Sequence, residues 1–235
     1  MTIGSDQLYA GKRILEAMKS GVRYGNAIFD EVCNALPPDA RAILDFGAGA
    51  GIFADKFRSK GIPVDVVEQD PQLTTLLEPL AGQIWTDIRS VPSEAFDFIY
   101  TINVLEHIAG LDAVCTELLR VLKPSGRIFV FVPAYNILWT SLDDEIEHVR
   151  RFDRRSLRLA LEVAGFRLER MTHFDLLGFP AALGVRLLES VNLFQYGSGS
   201  VGFYDRFLFP VSRGLDWISR GAIGKNLIAI AERPN

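Results

Sequence analysis

The sequence is poor in the residues that stabilise small folds covalently or through metals. Its 235 residues include 2 cysteines and 3 histidines. Cys33 and Cys115 have no CxxC spacing, and the histidines form no zinc-binding pattern. We therefore expect no disulfide and no metal site, and a reducing cytoplasm fits this cysteine usage. A chain of this length buries about 70 to 75% of its unfolded surface, which is enough for stability without either.

The sequence also lacks a long uninterrupted apolar run. Its most apolar stretch, 176–185, lies between Asp175 and Arg186 and is itself interrupted by glycine and proline. A membrane-spanning helix needs roughly 20 apolar residues, so none is expected. The amino-terminal stretch, 1–13, carries charged residues and has no apolar core of the kind found in a signal peptide, so no export signal is predicted.

An excess of positive charge is missing as well. The chain has 25 basic and 29 acidic residues, which gives a formal net charge of -4. No global cationic field exists to attract nucleic acid, so we expect no nucleic-acid partner. With 49% hydrophobic and 23% charged residues, the composition is that of one globular domain.

Short apolar runs alternate with helical patterns through the middle of the chain, which is typical of a parallel sheet with crossover helices. We predict a doubly wound α/β fold with a mainly parallel sheet of seven strands, at Ala42–Phe46, Val64–Val67, Gln83–Trp85, Phe96–Thr101, Arg127–Val132, Phe166–Thr172 and Leu227–Ala231. Helices are predicted at Ile52–Ser59, Gln72–Leu80, Leu111–Leu122 and Leu157–Ala164.

The third of these helices places Leu111, Val114, Leu118 and Leu122 on one face, and a turn at 123–126 follows it. The whole chain is predicted to be a single domain with five segments. These are a helical amino-terminal cap, a cofactor-binding core, an acceptor-side loop with a helix and a strand, a helical insertion and the last strand, at 1–40, 41–135, 136–173, 174–225 and 226–235.

The strongest local motif is the glycine-rich turn at 47–51, which follows the first predicted strand and opens a helix. Glycines there permit positive φ and let a ligand approach the backbone. The pattern G-x-G-x-x-A from Gly49 to Ala54 leaves a dinucleotide open as the ligand, beside another nucleoside-type cofactor. Glu68, after the second strand, can accept hydrogen bonds from ribose hydroxyls in either case.

Further polar residues follow the first, third and fourth strands: Asp45 at the end of the first, Asp87 in the segment W-T-D-I, and the run N-V-L-E-H at 103–107. This ordered set resembles the class I S-adenosylmethionine-dependent methyltransferases over about residues 40–135. The resemblance implies an antiparallel last strand, S-adenosylmethionine as cofactor and S-adenosylhomocysteine as product.

The resemblance also implies a role for each matching residue. Gly47, Gly49 and Gly51 would pass beneath the methionine and ribose, and Asp45 would lie near the ammonium group. Glu68 would bind the ribose diol, Asp87 with Ile88 the adenine edge, and Asn103 would line the methionine end. A cofactor with a sulfonium and an ammonium group favours nearby carboxylates, whereas a pyrophosphate does not.

The loop after the fifth strand should open at the carboxyl end of the sheet, where doubly wound folds bind ligands. The motif P-A-Y … D … H-x-R-R-F resembles a bacterial methyltransferase subgroup, although Leu142 stands where its members often carry histidine. Tyr135, Asp143 and Asp144 are candidate acceptor-binding residues, together with Arg150 and Arg151. His148 is the candidate base, and a structural pairing of His148 with Asp143 or Asp144 is the alternative.

Five arginines crowd the segment 150–158. They suit an anionic acceptor or an anionic membrane surface, and a solvated helix start with scattered ion pairs is the alternative. The insertion, 174–225, is rich in Phe and Leu. Four roles of this apolar surface stay open: a lid packed on its own domain, the lining of an acceptor pocket, a membrane contact or a dimer contact.

These observations predict an enzyme that methylates a small-molecule or lipid-linked, anionic acceptor at oxygen. Its location would be cytoplasmic, with peripheral membrane contact as an option, and its state monomeric or homodimeric. Two alternatives stay open: a noncatalytic binding or scaffold protein on the same fold, and an NAD-dependent oxidoreductase.

Overall fold

A computed structural model describes residues 21–190 and 198–235 of the chain. The described residues form two compact units. The first unit comprises 21–28, 133–153, 172–190 and 198–227, and the second comprises 29–132, 154–171 and 228–235.

A seven-stranded sheet with the order β3-β2-β1-β4-β5-β7-β6 organises the fold. Its strands are β1 Ile43–Phe46, β2 Asp65–Val67, β3 Ile84–Trp85, β4 Phe96–Ile102, β5 Leu122–Pro133, β6 Arg167–Phe174 and β7 Asn226–Glu232. β1 pairs in parallel with β2 on one side and with β4 on the other, in the registers Leu44↔Asp65 and Ile43↔Phe98. The prediction of a doubly wound, mainly parallel sheet is confirmed.

The last strand runs antiparallel to β5, as the family resemblance implies. The N–H of Ser125 donates to the carbonyl of Arg233 at 2.9 Å, whereas the N–H of Ala134 donates to the carbonyl of Lys225 at 2.8 Å. Residue numbers therefore rise along β5 while they fall along β7, which is the definition of an antiparallel pair.

The predicted turn at 123–126 is wrong, because these residues lie within β5. Phe96 pairs with Leu122 and Phe98 with Arg127, so the residues between them form an irregularity opposite β4. Ser125 there has a φ of 60°, and its N–H donates to the carbonyl of Arg233, the residue that follows β7. The Pro and Gly that suggest a turn instead build a bulge, because the neighbouring strand supplies the hydrogen bonds.

The crossover helices lie close to their predicted positions. They are α2 Ile52–Ser59, α3 Pro71–Leu77, α4 Leu111–Val121 and α6 Arg154–Ala164, and α1 Val22–Ala35 precedes the sheet. α3 begins where predicted within one residue, because the Asp70 side chain accepts the N–H of Gln72 at 2.8 Å as an N-cap. On α4, Cys115 and Val121 are buried beside the expected Leu111 and Leu118, whereas Val114 is only partly buried. Leu122 is buried as expected, but it begins β5 and does not belong to the helix.

The predicted helical insertion appears between β6 and β7. It contains α7 Gly178–Ser190, α8 Ser198–Phe203, a π-helical segment Tyr204–Leu208 and α9 Phe209–Ser219, and the short α5 Ser141–Glu145 precedes α6. Of the predicted amino-terminal cap, 1–20 lies outside the described residues. Among the described helices, none is both long and apolar enough to cross a membrane.

Candidate functional site

The glycine-rich turn leaves the end of β1 in a conformation that only glycine adopts readily. Gly47, Gly49 and Gly51 have φ values of 80°, 56° and 77°. A Cβ on Gly51 would lie 2.7 Å from Leu80 Cδ1, and one on Gly47 would clash with the side chain of Val104. A Cβ on Gly49 would meet no heavy atom within 4 Å. Gly47 and Gly51 are thus required for packing, whereas the space over Gly49 is open to a ligand.

Glu68 is fixed against this turn by two backbone hydrogen bonds. Its Oε2 accepts the N–H of Gly49 at 2.7 Å, and its Oε1 accepts the N–H of Asp70 at 3.0 Å. The residue is half-buried, and its own N–H donates to the Trp85 carbonyl across β2 and β3. An ionised carboxylate has about four acceptor sites, so oxygens oriented in this way can still accept from a pair of hydroxyl groups.

Asp45 carries a buried carboxyl group inside β1. The residue is 3% exposed, and its Oδ2 accepts no hydrogen bond from the part of the chain that the structure describes. Burial, with a smaller contribution from the Glu68 carboxylate, raises the pKa of Asp45 to about 7. A cationic group beside Oδ2 would favour the ionised form, so this acid fits a ligand with an ammonium group.

Asp87 and Ile88 follow β3, the strand next to β2. Asp87 caps the short 3-10 helix Ile88–Ser90, and its Oδ2 accepts Nε of Arg89 at 2.9 Å. The hydrogen bonds from Arg89 hold the pKa of Asp87 below its ordinary value. Ile88 is buried. Any role of Asp87 at an adenine edge would therefore use an ionised carboxylate that Arg89 already orients.

Asn103 and Val104 follow β4, which is the other neighbour of β1. Asn103 is exposed with a φ of 54°, and its N–H donates to the carbonyl of Phe131 on β5 at 2.9 Å. The next residue, Val104, packs directly on Gly47. The sequence motif contains Val104, but its contact with the glycine turn was not predicted, since it depends on the neighbouring positions of β1 and β4.

Within the second unit, the sheet therefore gathers the predicted donor-side residues at the carboxyl ends of β1 to β4. Open space over Gly49, the acceptor atom of Asp45 and the oriented Glu68 carboxylate form the polar part of this site. The donor set suits a cationic nucleoside better than a pyrophosphate, because acids rather than bases surround the turn.

Within the first unit, Asp143 joins two of the residues predicted on the acceptor side. His148 Nδ1 lies 2.7 Å from Asp143 Oδ1, and Arg151 Nε lies 2.8 Å from the same oxygen. Asp143 Oδ2 accepts the N–H of Thr140 at 2.8 Å and Arg151 Nη2 at 2.9 Å. Burial alone would raise the pKa of Asp143, but the hydrogen bonds from His148 and Arg151 hold it well below its ordinary value.

This network orients the imidazole of His148. Because an ionised carboxylate only accepts hydrogen bonds, Nδ1 carries the hydrogen, and in the neutral ring Nε2 is the basic nitrogen. The Arg151 guanidinium is engaged with Asp143 and, at 3.2 Å, with the Ala134 carbonyl. Asp144 lies apart from the network and accepts Nε1 of Trp139 at 2.9 Å.

Tyr135 has a histidine partner that sequence reasoning missed. Its hydroxyl lies 2.6 Å from Nε2 of His173, whose Nδ1 lies 3.2 Å from the carbonyl of Gly221. A carbonyl only accepts, so Nδ1 is the donor and, in the neutral ring, Nε2 accepts the Tyr135 hydroxyl hydrogen. Tyr135 has a φ of 58°, which is rare for an aromatic residue and marks a strained position.

Two arginines of the segment 150–158 form ion pairs, Arg151 with Asp143 and Arg158 with Glu162, and two arginines further along the chain do so as well. Arg158 faces Glu162 at 4.0 Å, Arg167 binds Glu232 at 2.9 Å and Arg170 lies 3.4 Å from Glu31. Arg150 is half-buried, whereas Arg154 and Arg155 are exposed at the start of α6. These ion pairs match the alternative of a helix start with scattered salt bridges.

Known proteins resemble this chain in sequence and in fold. The profile of the methyltransferase domain family matches residues 21–170. The biotin biosynthesis bifunctional protein BioHC of Cellvibrio japonicus is 29% identical over 154 residues, which cover 59% of this chain and 30% of that protein. The ubiquinone biosynthesis O-methyltransferase of Xylella fastidiosa is 28% identical over 111 residues, which cover 43% of this chain and 45% of that protein.

Solved structures share the fold at low sequence identity. A SAM-dependent methyltransferase from Archaeoglobus fulgidus superposes with a TM-score of 0.59 at 19% identity, covering 88% of this chain and 94% of that one. The chain spans less than half the length of the two curated relatives described above. Because the family profile covers more than half of the chain, this protein belongs to the methyltransferase domain family, whose methyl donor is S-adenosylmethionine.

Proposed function

We propose that this protein transfers a methyl group from S-adenosylmethionine to an oxygen atom of a small-molecule or lipid-linked acceptor. The observation that carries the proposal is the site at the end of β1, where open space over Gly49 meets the oriented carboxylate of Glu68. When bound, the donor supplies a methyl carbon that its sulfonium has already activated.

On the donor side, each residue has a role that its geometry supports. Glu68 would accept hydrogen bonds from the two ribose hydroxyls, because the N–H groups of Gly49 and Asp70 already orient its oxygens. Asp45 would pair with the ammonium group, since its Oδ2 is buried without a donor among the described residues. Asp87, Ile88 and Asn103 would line the adenine and methionine ends.

On the acceptor side, His148 is the proposed base. Asp143 accepts the hydrogen of its Nδ1, so in the neutral ring Nε2 is the nitrogen that would take the proton from an acceptor hydroxyl. Tyr135, Asp144 and Arg150 remain proposed acceptor contacts. For Arg151 the geometry favours positioning of Asp143, because three of the hydrogen bonds from its side chain go to Asp143 and Ala134.

Oxygen as the methylated atom is supported by the O-methyltransferase among the relatives. Arg154 and Arg155, exposed at the start of α6, support an acceptor with a carboxylate or phosphate group. Methyl transfer is an in-line displacement at the carbon bound to the sulfonium, so alignment of the acceptor supplies most of the catalysis. A base matters chiefly when the acceptor is a weakly acidic hydroxyl.

The donor site is tested by calorimetric titration with S-adenosylmethionine, S-adenosylhomocysteine and NAD. We expect the two adenosyl ligands to bind and Glu68→Ala to weaken both about 10- to 100-fold, since hydrogen bonds to a charged group are worth about 1.5 to 3 kcal/mol. Glu78→Ala, a change of the same type at an exposed position after α3, should leave affinity unchanged. Unaltered affinity of Glu68→Ala, or binding of NAD alone, would overturn the assignment.

Turnover is tested by release of S-adenosylhomocysteine with phenols, carboxylic acids and prenylated quinols as acceptors. We expect His148→Gln to lower kcat about 100-fold or more while the KM for S-adenosylmethionine stays the same, as for loss of a general base. The loss should be largest for the acceptor with the least acidic hydroxyl, because that hydroxyl depends most on a base to remove its proton. Equal turnover of the wild type and His148→Gln would remove His148 as base, and donor binding without turnover of any acceptor would favour a binding protein.

A further inference from the structure

The segment 203–220 is an amphipathic helix whose acidic side chains are buried, while most of its large apolar side chains are exposed. It comprises the end of α8, the π-helical segment and α9. Its polar residues Asp205, Ser212 and Asp216 are 6%, 0% and 7% exposed. Phe209 is buried as well, but five large apolar residues point outward, with exposures of 58% for Phe203, 54% for Phe207, 55% for Val211, 84% for Trp217 and 69% for Ile218.

Each inward polar group has a defined partner, so the orientation of the helix is fixed. Asp205 accepts the N–H groups of Arg23 and Tyr24 at 3.1 and 2.8 Å. Ser212 Oγ donates to Asp175 at 2.7 Å, and Asp216 accepts the N–H groups of Asp175 and Leu176. Rotating the helix to bury its apolar side would break all of these hydrogen bonds, which would leave buried polar groups unsatisfied.

A π-helical segment, Tyr204–Leu208, lies within this helix. An extra residue in one turn shifts the helix face, and such π-bulges often occur at functional sites. Phe203 and Phe207 have ring centroids 5.1 Å apart on the outer side, while Asp205 between them points inward. The apolar side chains therefore form one surface, here called the outer face: Phe203, Phe207, Val211, Trp217 and Ile218.

The exposed charges of segment 203–220 have one sign. The only acids in 203–220, Asp205 and Asp216, are the buried ones, whereas Arg206 and Arg220 are exposed and Arg213 is partly exposed. Arg206 also lies over the ring of Phe207, 5.5 Å from its centroid. A basic, aromatic-rich apolar surface thus occurs on a chain with a net charge of -4.

We propose that the outer face docks this protein on an anionic lipid bilayer, with Trp217 at the level of the headgroups. Trp and Phe favour the interface, and arginines beside them gain from anionic headgroups. A second copy of the chain is disfavoured as the occupant, because a two-fold contact would bring the same arginines together without acids to pair with them. The proposal rests on the outer face alone and does not depend on the methyl donor or acceptor.

The test is co-sedimentation of the full chain with vesicles of phosphatidylcholine alone and of phosphatidylcholine mixed with phosphatidylglycerol. We expect binding to the mixed vesicles, weakened at high salt, and little binding to the neutral ones. Trp217→Ser combined with Ile218→Ser should lower partitioning about tenfold or more. Arg206→Gln with Arg220→Asn should reduce binding to the mixed vesicles only, and Asn suits the left-handed backbone of Arg220.

Two controls separate docking from misfolding. Leu76→Ser alters a residue that is 51% exposed on α3 and should leave partitioning unchanged. Trp217→Phe should keep binding but lose the shift of tryptophan emission to shorter wavelength that the wild type shows on vesicles. Circular dichroism and thermal unfolding verify that each variant is folded.

Three results would overturn the proposal. The first is absence of wild-type binding to the mixed vesicles. The second is equal binding of a folded Trp217→Ser, Ile218→Ser variant. The third is a wild-type dimer in solution that this variant converts to monomer while neither protein binds vesicles, which would assign the outer face to self-association.

Discussion

At the scale of single residues, buried acids are the groups whose charge state matters most. Asp45 and Asp143 both lie almost out of contact with solvent, yet their pKa values move in opposite directions. Asp143 is surrounded by donors from His148, Arg151 and Thr140, which stabilise its carboxylate. For Asp45 the Tyr100 hydroxyl is the one group that lowers the pKa, and the effect of burial is larger. The raised pKa of Asp45 fits an acid that binds a cationic ligand, whereas the lowered pKa of Asp143 fits an acid that orients His148 and Arg151.

Asp45 should make stability depend on pH in a definite direction. Its folded-state pKa of about 7 lies above the unfolded value. The folded state therefore binds the proton more tightly, and this contribution to stability is full below about pH 4 and is lost as the pH rises to 7. Between pH 5 and pH 8, the free energy of unfolding of the wild type should therefore fall by about 3 kcal/mol relative to that of Asp45→Asn, which has no carboxyl group at this position to titrate.

Urea unfolding of both proteins at the two pH values measures this change. The comparison isolates Asp45, because all other titrating groups are common to the two proteins. A difference in stability that is the same at pH 5 and pH 8 would contradict the elevated pKa.

At the scale of elements, the start of α1 is capped by a residue that is distant in the sequence. Asp205, in the π-helical segment, accepts two N–H groups at the start of α1. A local cap can be recognised from neighbouring residues, as Asp70 shows for α3. The cap of α1 cannot, since its carboxylate is supplied from about 180 residues away.

Asp205→Ala should destabilise the protein by about 1 to 2 kcal/mol, the usual effect of losing an N-cap side chain. For a chain of this size that lowers Tm by about 2 to 8 °C, measurable by circular dichroism. Asp205→Asn should lose less, because its amide oxygen still accepts a hydrogen bond. Asp39→Ala, at an exposed position, serves as the matched control. A Tm of Asp205→Ala equal to that of Asp39→Ala would argue against the cap.

At the scale of the whole molecule, the first unit is assembled from segments far apart in the chain, and Asp175 links several of them. The residue is fully buried with a φ of 67°. Its Oδ1 accepts hydrogen bonds from the N–H of Gly178, from Ser212 and from the hydroxyl of Tyr204, and Lys225 Nζ lies 3.7 Å from Oδ2. Burial together with the Asp175 charge raises the pKa of Tyr204, which keeps its hydroxyl a donor.

Asp175→Ala should destabilise the protein by about 3 to 5 kcal/mol, as expected when one partner of a buried charged network is removed. Asp175→Asn should lose clearly less, because it still accepts a hydrogen bond. Urea unfolding followed by tryptophan fluorescence gives both values. A loss below about 1 kcal/mol for Asp175→Ala would show that the network does not hold these segments together.

Much of the second unit could be predicted from the sequence, because its signals are local. Apolar runs such as Phe96–Thr101 mark strands covered on both faces, and the glycine spacing at 47–51 marks a turn that needs positive φ. Strand ends and the residues after them follow directly, so Asp45, Glu68, Asp87 and Asn103 could be assigned to one edge of the sheet in advance. The bulge in β5 could not, since it depends on hydrogen bonds to Arg233.

The sheet, the crossover helices and the donor-side motif can therefore be predicted from the sequence, since each depends on residues close together in the chain. The partner of each buried polar group cannot be predicted in this way, because it depends on the folded structure: His148 and Arg151 for Asp143, His173 for Tyr135, and Arg23 with Tyr24 for Asp205. The folded structure also decides which side of α9 faces outward. The physical reason is that a buried hydrogen bond is satisfied by whichever group the fold brings within reach, whatever its distance along the chain.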